Sequence, residues 1–363
     1  MNEPDASVAG AGGRVLNAGQ VRAYRGPSLV LFLGISTAGS LAHRTFPGWS
    51  QIFCPGAVMR GADLPEDAGP AEFRDLMAAM TANPGVLGAV VTSHKLRLFN
   101  ACGDLLDDAE PLVALTREIN SVSTREGVRA FARDPQSLDI ILDGVGGQGG
   151  GAGAPGGGGG PGVGGPAPRA VLCIGAGGAA IALMLAMRLD ITGTLAAGRP
   201  VLRAGRAARG PLTIVGRDQA SLDNIRAVRD RCGIPGEGVA LRLAPDAGAV
   251  AGCVRSAAAG TVVCNATGLG KTSPGSPLPD LTAFPPGAVA WDFNYRGPLT
   301  FLSQARHAGA ATEDGWDYFV AGWSAALAAI TGTELTPDLL SRAVRSARPA
   351  RPGGAPGRPR AGR

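Results

Sequence analysis

The sequence predicts an α/β protein of two lobes, an N-terminal α/β lobe followed by a Rossmann-type, doubly wound parallel sheet. Three observations predict it. Short continuous apolar runs that stop at glycine, such as Leu29-Val-Leu-Phe-Leu-Gly34 and Ala170-Val-Leu-Cys-Ile-Gly175, read as strands buried on both faces. Segments with helical spacing alternate with them, the pattern that builds a parallel sheet covered by helices. Residues 144–167, almost all Gly, Ala and Pro, divide the chain in two.

In chain order, residues 1–27 are rich in Gly and Ala and read as a disordered N-terminus. They lack the charged start and apolar stretch of a signal peptide. After the strand over 28–34, Phe73, Leu76, Met77 and Met80 predict a helix over 70–80, and Leu87-Gly-Ala-Val-Val-Thr92 a second strand. Lys95 to Leu106 reads as a helix, 118–123 with 127–132 as a hairpin, and Pro135 to Leu142 as the next helix. The glycine tract has almost no side chain to bury against a backbone cost of about 1–2 kcal/mol per residue, so it reads as a linker. Strands then follow at 170–174, 212–215, 261–264 and 288–292, with helices over 181–187, 220–232, 300–308 and 316–330. Residues 191–210 read as a Gly/Arg-rich insertion. The expected domains are a substrate lobe over 28–143 that receives the helices of 316–345, a cofactor lobe over 168–315, and a disordered basic tail over 346–363.

The 363 residues carry a net charge of +5 and a pI of about 9.1. Seven arginines and no acid lie between Arg342 and Arg363, so the rest of the chain is mildly acidic and no nucleic-acid groove is implied. Six scattered cysteines without C-x-x-C spacing read as reduced core thiols of a cytoplasmic protein, and no metal site is expected. No apolar run reaches the length of a membrane span.

Lys95 and Lys271 are the only lysines among 34 Lys and Arg residues. A lysine kept in so arginine-rich a chain stands out, because an ammonium in a partly desolvated pocket can release and retake a proton and a guanidinium cannot. Lys95 ends Val91-Thr92-Ser93-His94-Lys95, and Asp134 is the acid expected beside it. A surface lysine closing a strand is the plain alternative. Gly175-Ala176-Gly177-Gly178-Ala179-Ala180 fits G-x-G-x-x-A between a strand and a helix, the turn that admits a pyrophosphate to backbone amides. After the next strand, Arg217 suits the 2′-phosphate of NADP, whereas the adjacent Asp218 suits NAD. His94 is read as packing beneath the strand end, with a catalytic base as the alternative. Lys271 touches either cofactor or solvent.

Six ordered segments over residues 29–335 resemble the shikimate/quinate dehydrogenase family. Val90-Val-Thr-Ser-His-Lys95 is similar to its V-T-I-P-H-K, Glu118-Ile-Asn120-Ser121 to A-V-N-T, and Asp134 to the acid of N-T-D. Gly175 to Ala179 matches G-A-G-G-A, and Asn265-Ala266-Thr267-Gly-Leu-Gly270 resembles N-A-T-P-x-G. Asp292, Tyr295 and Thr300 keep the spacing of D-x-x-Y-x-P-x-x-T. The resemblance implies reversible oxidation of the ring hydroxyl of shikimate, or of a relative such as quinate or aminoshikimate, in the chorismate route to aromatic amino acids. It implies NADP as cofactor, with NAD possible, and an active site in a cleft between lobes of a monomer or homodimer. Lys95 with Asp134 would be the acid/base pair. Ser40, Asn120 and Tyr295 would contact substrate; Asn265, Ala266 and Thr267 would line the nicotinamide end.

The substrate motifs depart from the family. The second serine of S-x-S is Ala42, the threonine of V-T-I-P-H-K is Val91 and its proline Ser93, N-T-D has become Ala132-Arg133-Asp134, and the glutamine of the helix after Gly315 is Gly322. Each lost partner of a buried polar group costs about 1–3 kcal/mol. Arg44 and Arg133 either supply a new carboxylate clamp or lie on the surface. The alternative to an enzyme is a nicotinamide-nucleotide-binding protein that lost its substrate chemistry.

Overall fold

Buried apolar strands set the framework. The computed structural model describes residues 15–142, 144–145, 169–204, 209–270 and 273–352; the glycine tract from 146, Lys271 and residues 353–363 lie outside them. The elements up to the tract are α1 (Ala18–Ala23), β1 (Leu29–Gly34), α2 (Ala42–Phe53), β2 (Val58–Asp63), α3 (Pro70–Thr81), β3 (Val86–Val91), α4 (Lys95–Cys102), β4 (Asp108–Ala109), α5 (Pro111–Thr116), β5 (Ser121–Ser123), β6 (Arg129–Phe131) and α6 (Asp134–Leu142). Then come β7 (Val171–Ile174), α7 (Gly178–Arg188), α8 (Ile191–Ala197), β8 (Leu212–Gly216), α9 (Gln219–Arg231), β9 (Val239–Leu243), α10 (Ala247–Arg255), β10 (Val262–Asn265), β11 (Val289–Asp292), α11 (Thr300–His307), β12 (Ala311–Glu313), α12 (Trp316–Thr331) and α13 (Pro337–Ala347).

The chain divides into two compact units. The first holds the residues up to Asp108, Ile119–Ala130 and Leu327–Glu334. Its sheet runs β2-β1-β3-β5-β6-β4. β1 pairs in parallel with β2 and β3, while β5 runs antiparallel to β3. All six residues of β1 are buried, and Trp49 of α2 and Phe73 of α3 are fully enclosed. The second unit holds Ala109–Glu118, Phe131–Ala326 and the chain from Leu335. Its sheet runs β9-β8-β7-β10-β11-β12, with every pair parallel. Residues Ala180 to Met187 of α7 are all buried, as a helix apolar on every side requires. The core beside β7 and β10 packs Leu172, Ile174, Val263, Ala290, Phe301 and Leu302 together.

Several expectations are corrected. Within the N-terminal stretch expected to be disordered, α1 forms behind a capping box between Asn17 and Gln20. At the other end, α13 runs to Ala347 and a turn of 3₁₀ helix covers Arg348–Ala350, so the tail is ordered through 352. The supposed 191–210 insertion contains α8, capped by Asp190 accepting from the Gly193 N–H. The helix at Lys95 ends at Cys102, where a 3₁₀ turn takes over. All six cysteines are free thiols and five are buried. Among the described residues no helix is long and apolar enough to cross a membrane.

Candidate active site

In the first unit the chain builds outward from β1 to β2 and then returns to the other side for β3. Such a switch point opens a crevice beyond the carboxyl ends of the two central strands, here β1 and β3. The loop after β1 is tied down by Asp63 at the end of β2. Thr37 donates to it through its N–H at 3.0 Å and its hydroxyl at 2.6 Å. Gly34 admits no side chain, because a Cβ there would lie 2.8 Å from Thr92 Cγ2, so the loops after β1 and β3 touch. On this loop Ser40 Oγ accepts from the Ala42 N–H at 3.2 Å, and Arg44 is exposed on the first turn of α2.

Lys95, half-buried, is the first residue of α4. Its carbonyl accepts from the Ile119 N–H at 3.2 Å, and Asn120 O accepts from the Val91 N–H at 2.7 Å. These two backbone bonds bring Lys95 and Asn120 together at the mouth of the crevice. Asn120 is buried, and its amide oxygen accepts from Ser121 Oγ at 3.2 Å. His94 turns away: Nε2 lies 2.9 Å from Leu64 O, and the ring meets Phe73 edge-on at 5.2 Å. Its place is in the packing.

In the second unit the switch point falls between β7 and β10. Gly175 ends β7 with φ +113°, and a Cβ there would lie 3.0 Å from both the carbonyl carbon and oxygen of Ala266. The glycine is what lets the loops after β7 and β10 meet. Gly177 is exposed, caps α7 without a side chain, and has open space where a Cβ would stand. Ala176 packs against Gly216 at the end of β8, where a Cβ on the glycine would lie 3.1 Å away. An open glycine ahead of a helix N-terminus fits the pyrophosphate of a dinucleotide. The exception is Gly178, which Glu118 abuts: a Cβ on it would stand 2.5 Å from Glu118 Oε1.

Asn265 holds the loop after β10. Its Nδ2 donates to Asp292 Oδ2 at 3.1 Å and its Oδ1 accepts from the Thr267 N–H at 3.1 Å and hydroxyl at 2.6 Å. The side chain is therefore a brace that leaves Ala266 and the exposed Thr267 to face outward. Asp292, which sequence reasoning treated only as spacing, is fully enclosed, and burial pushes its carboxyl up to about 6 although Asn294 and Asn265 donate to it. Arg217 is exposed at the tip of β8. Asp218 beside it accepts from Ser221 N–H at 2.8 Å and Ser221 Oγ at 3.0 Å, which caps α9 and holds its carboxyl below the ordinary range.

Asp134 stands at the start of α6, and the Asp134 and Glu118 carboxylates add to the burial that raises the Tyr318 phenol well above its ordinary value. Arg133 is corrected as a carboxylate clamp. It pairs with Glu110 at 2.8 Å, where the two side chains are 19% and 7% exposed, and Glu110 also accepts from the Ala132 N–H at 2.6 Å. Tyr295 is buried, stacked on Phe319 at 4.2 Å and edge-on to Trp316 at 6.0 Å. Sequence reasoning missed Asp63, Glu110 and Tyr318, since their roles rest on neighbours distant in the chain. Glu118 carried a local signal: an acid in a segment that the resembled family fills with alanine.

The chain has the fold of the shikimate and quinate dehydrogenases. A shikimate dehydrogenase solved with NADP+ superposes with a TM-score of 0.62 at 16% identity, covering 92% of this chain and 97% of that one. The quinate dehydrogenase of Corynebacterium glutamicum, solved with NAD, gives 0.58 at 17% identity, covering 89% and 100%. The 5-ketofructose reductase of Gluconobacter sp. strain CHM43 gives 0.55 at 18%, covering 89% and 99%. No protein-family model and no curated protein sequence matches the chain.

Proposed function

We propose that the protein is an NADP-dependent oxidoreductase that interconverts a cyclic hydroxy acid, shikimate or a relative such as quinate or aminoshikimate, with its 3-keto form. The observation that carries this reading is the glycine turn at the β7/β10 switch point, in a fold shared with enzymes solved with NADP+ and NAD. The bound nicotinamide supplies the hydride acceptor. Lys95 takes the proton of the reacting hydroxyl and returns it in the reverse direction, and Asp134 is the carboxylate that works with it. Asn120, Ser40, Tyr295 and Arg44 bind the substrate's hydroxyls and carboxylate. Gly175 to Ala180 seat the pyrophosphate, with Ala266 and Thr267 at the nicotinamide end. Arg217 pairs with the 2′-phosphate; with Asp218 turned to the head of α9, NADP is preferred over NAD. Functionally, residues 28–143 with the helices of 316–345 form the substrate part and 168–315 the cofactor part, in a cytoplasmic monomer or homodimer.

The test is reduction of NADP or NAD by the purified protein with shikimate, quinate, aminoshikimate and a reduced ketosugar. Turnover of one acid, abolished by Lys95→Ala with cofactor affinity retained, is expected. A flat trace for every compound sinks the enzyme. A second reading, a nucleotide-binding protein without substrate chemistry, draws on Ala42 and Gly322 standing where the family has hydrogen-bonding side chains, and on Arg133 being held by Glu110. Cofactor binding without any turnover would favour it.

A further inference from the structure

We infer that Glu118 limits dinucleotide affinity by competing with the pyrophosphate for the head of α7. The inference rests on the dinucleotide reading given above and adds a residue that opposes it. Three observations converge. The Glu118 carboxylate is packed on Gly178, the first residue of α7, where a Cβ would lie 2.5 Å from Oε1 and 2.9 Å from Oε2. The preceding residue, Arg117, ends α5 at φ +57°, a left-handed conformation that costs a non-glycine residue about 1–3 kcal/mol and turns the chain to present Glu118. Thr116 Oγ1 then accepts from the Glu118 N–H at 3.1 Å, fixing the turn.

A helix N-terminus favours whichever anion reaches it. Gly177 supplies no side-chain cap, so the Glu118 carboxylate, packed on Gly178, holds the place without a ligand. An entering pyrophosphate must displace Glu118 or bind against its charge. The effect falls on the pyrophosphate shared by both dinucleotides. It therefore weakens NAD and NADP alike, unlike Arg217, which distinguishes them.

Calorimetric titration of NAD, NADP and adenosine 2′-monophosphate into the wild type and Glu118→Gln tests this. The variant is expected to bind NAD and NADP more tightly, by about five- to tenfold and by the same factor. Adenosine 2′-monophosphate, which has no pyrophosphate, should bind unchanged. If the wild type binds dinucleotide and Glu118→Gln binds it equally or less well, the inference is overturned while the dinucleotide reading stands. If neither protein binds NAD or NADP, the dinucleotide reading itself falls. Thermal unfolding supplies a readout free of ligand. Gly178→Ala should shift the melting temperature less favourably in the wild type, where the methyl must push the Glu118 carboxylate aside, than in a Glu118→Ala background. An equal shift in both backgrounds would refute the contact.

Discussion

Two glycines in one turn should fail in opposite ways when each becomes alanine. At Gly175 the backbone sits at φ +113°, where an L side chain costs about 1–3 kcal/mol. The new methyl would also lie 3.0 Å from Ala266 C and O and 3.2 Å from Thr267 N. These are backbone atoms at the end of a buried strand and cannot swing away, so overpacking adds about 1–3 kcal/mol. Gly175→Ala should therefore lose about 2–6 kcal/mol, centred near 4. With a urea dependence of about 3 kcal/mol per molar, the unfolding midpoint of the second unit falls by roughly 1 M. At Gly177 φ is −94° and ψ −166°, extended backbone open to alanine, and the methyl meets nothing within 4 Å. Gly177→Ala should keep the wild-type midpoint, or gain about 0.4–1 kcal/mol through the unfolded chain. Its cost should appear as at least about a tenfold loss of dinucleotide affinity, since the methyl stands where a pyrophosphate must approach. Equal loss of stability in both variants, or undiminished binding by Gly177→Ala, would refute the reasoning.

Three further outcomes are expected. Arg217→Ala should weaken NADP binding by about tenfold or more and leave NAD almost unchanged, as titration of both cofactors would reveal. Asp292 should make folding stability fall as pH rises. Its folded value of about 6 lies above the ordinary 3.8, so its contribution is fully present below 3.8 and is lost by the time pH passes 6, roughly 3 kcal/mol in all. Urea midpoints at pH 4.5 and 7 should show this slope in the wild type and a flatter one in Asp292→Asn; identical slopes would refute it. Glu110→Ala should cost about 3 kcal/mol in chemical unfolding, because it strands Arg133 in a largely enclosed position.

What the sequence disclosed follows burial. β1, β3, β7, β8, β10 and β11 were legible as apolar runs because interior strands of a parallel sheet are covered on both faces. The strands that escaped, β2, β4, β9 and β12, are edges, and their mix of polar and apolar residues (Val-Met-Arg-Gly-Ala-Asp in β2) breaks the run. The helix α2 was hidden by Pro47, although Ala42, Phe46, Trp49 and Phe53 keep its buried stripe. The glycine turn could be read because its pattern is local: G-x-G-x-x-A falls within six residues, directly between a strand and a helix. The brace of Asn265 on Asp292 and the pairing of Arg133 with Glu110 join residues 27 and 23 positions apart, and no local pattern announces them.

The cysteines give each half of the molecule its own clock. Burial lifts the Cys54 and Cys102 thiols of the first unit to about 11, and Cys173 of the second to about 12. At neutral pH almost none of any of them is thiolate, the form that alkylating reagents attack. Modification must then wait for the surrounding strands and helices to part. The rate at which Cys54 and Cys102 are capped would time the opening of one half, and that of Cys173, Cys232 and Cys264 the opening of the other, without a single engineered label.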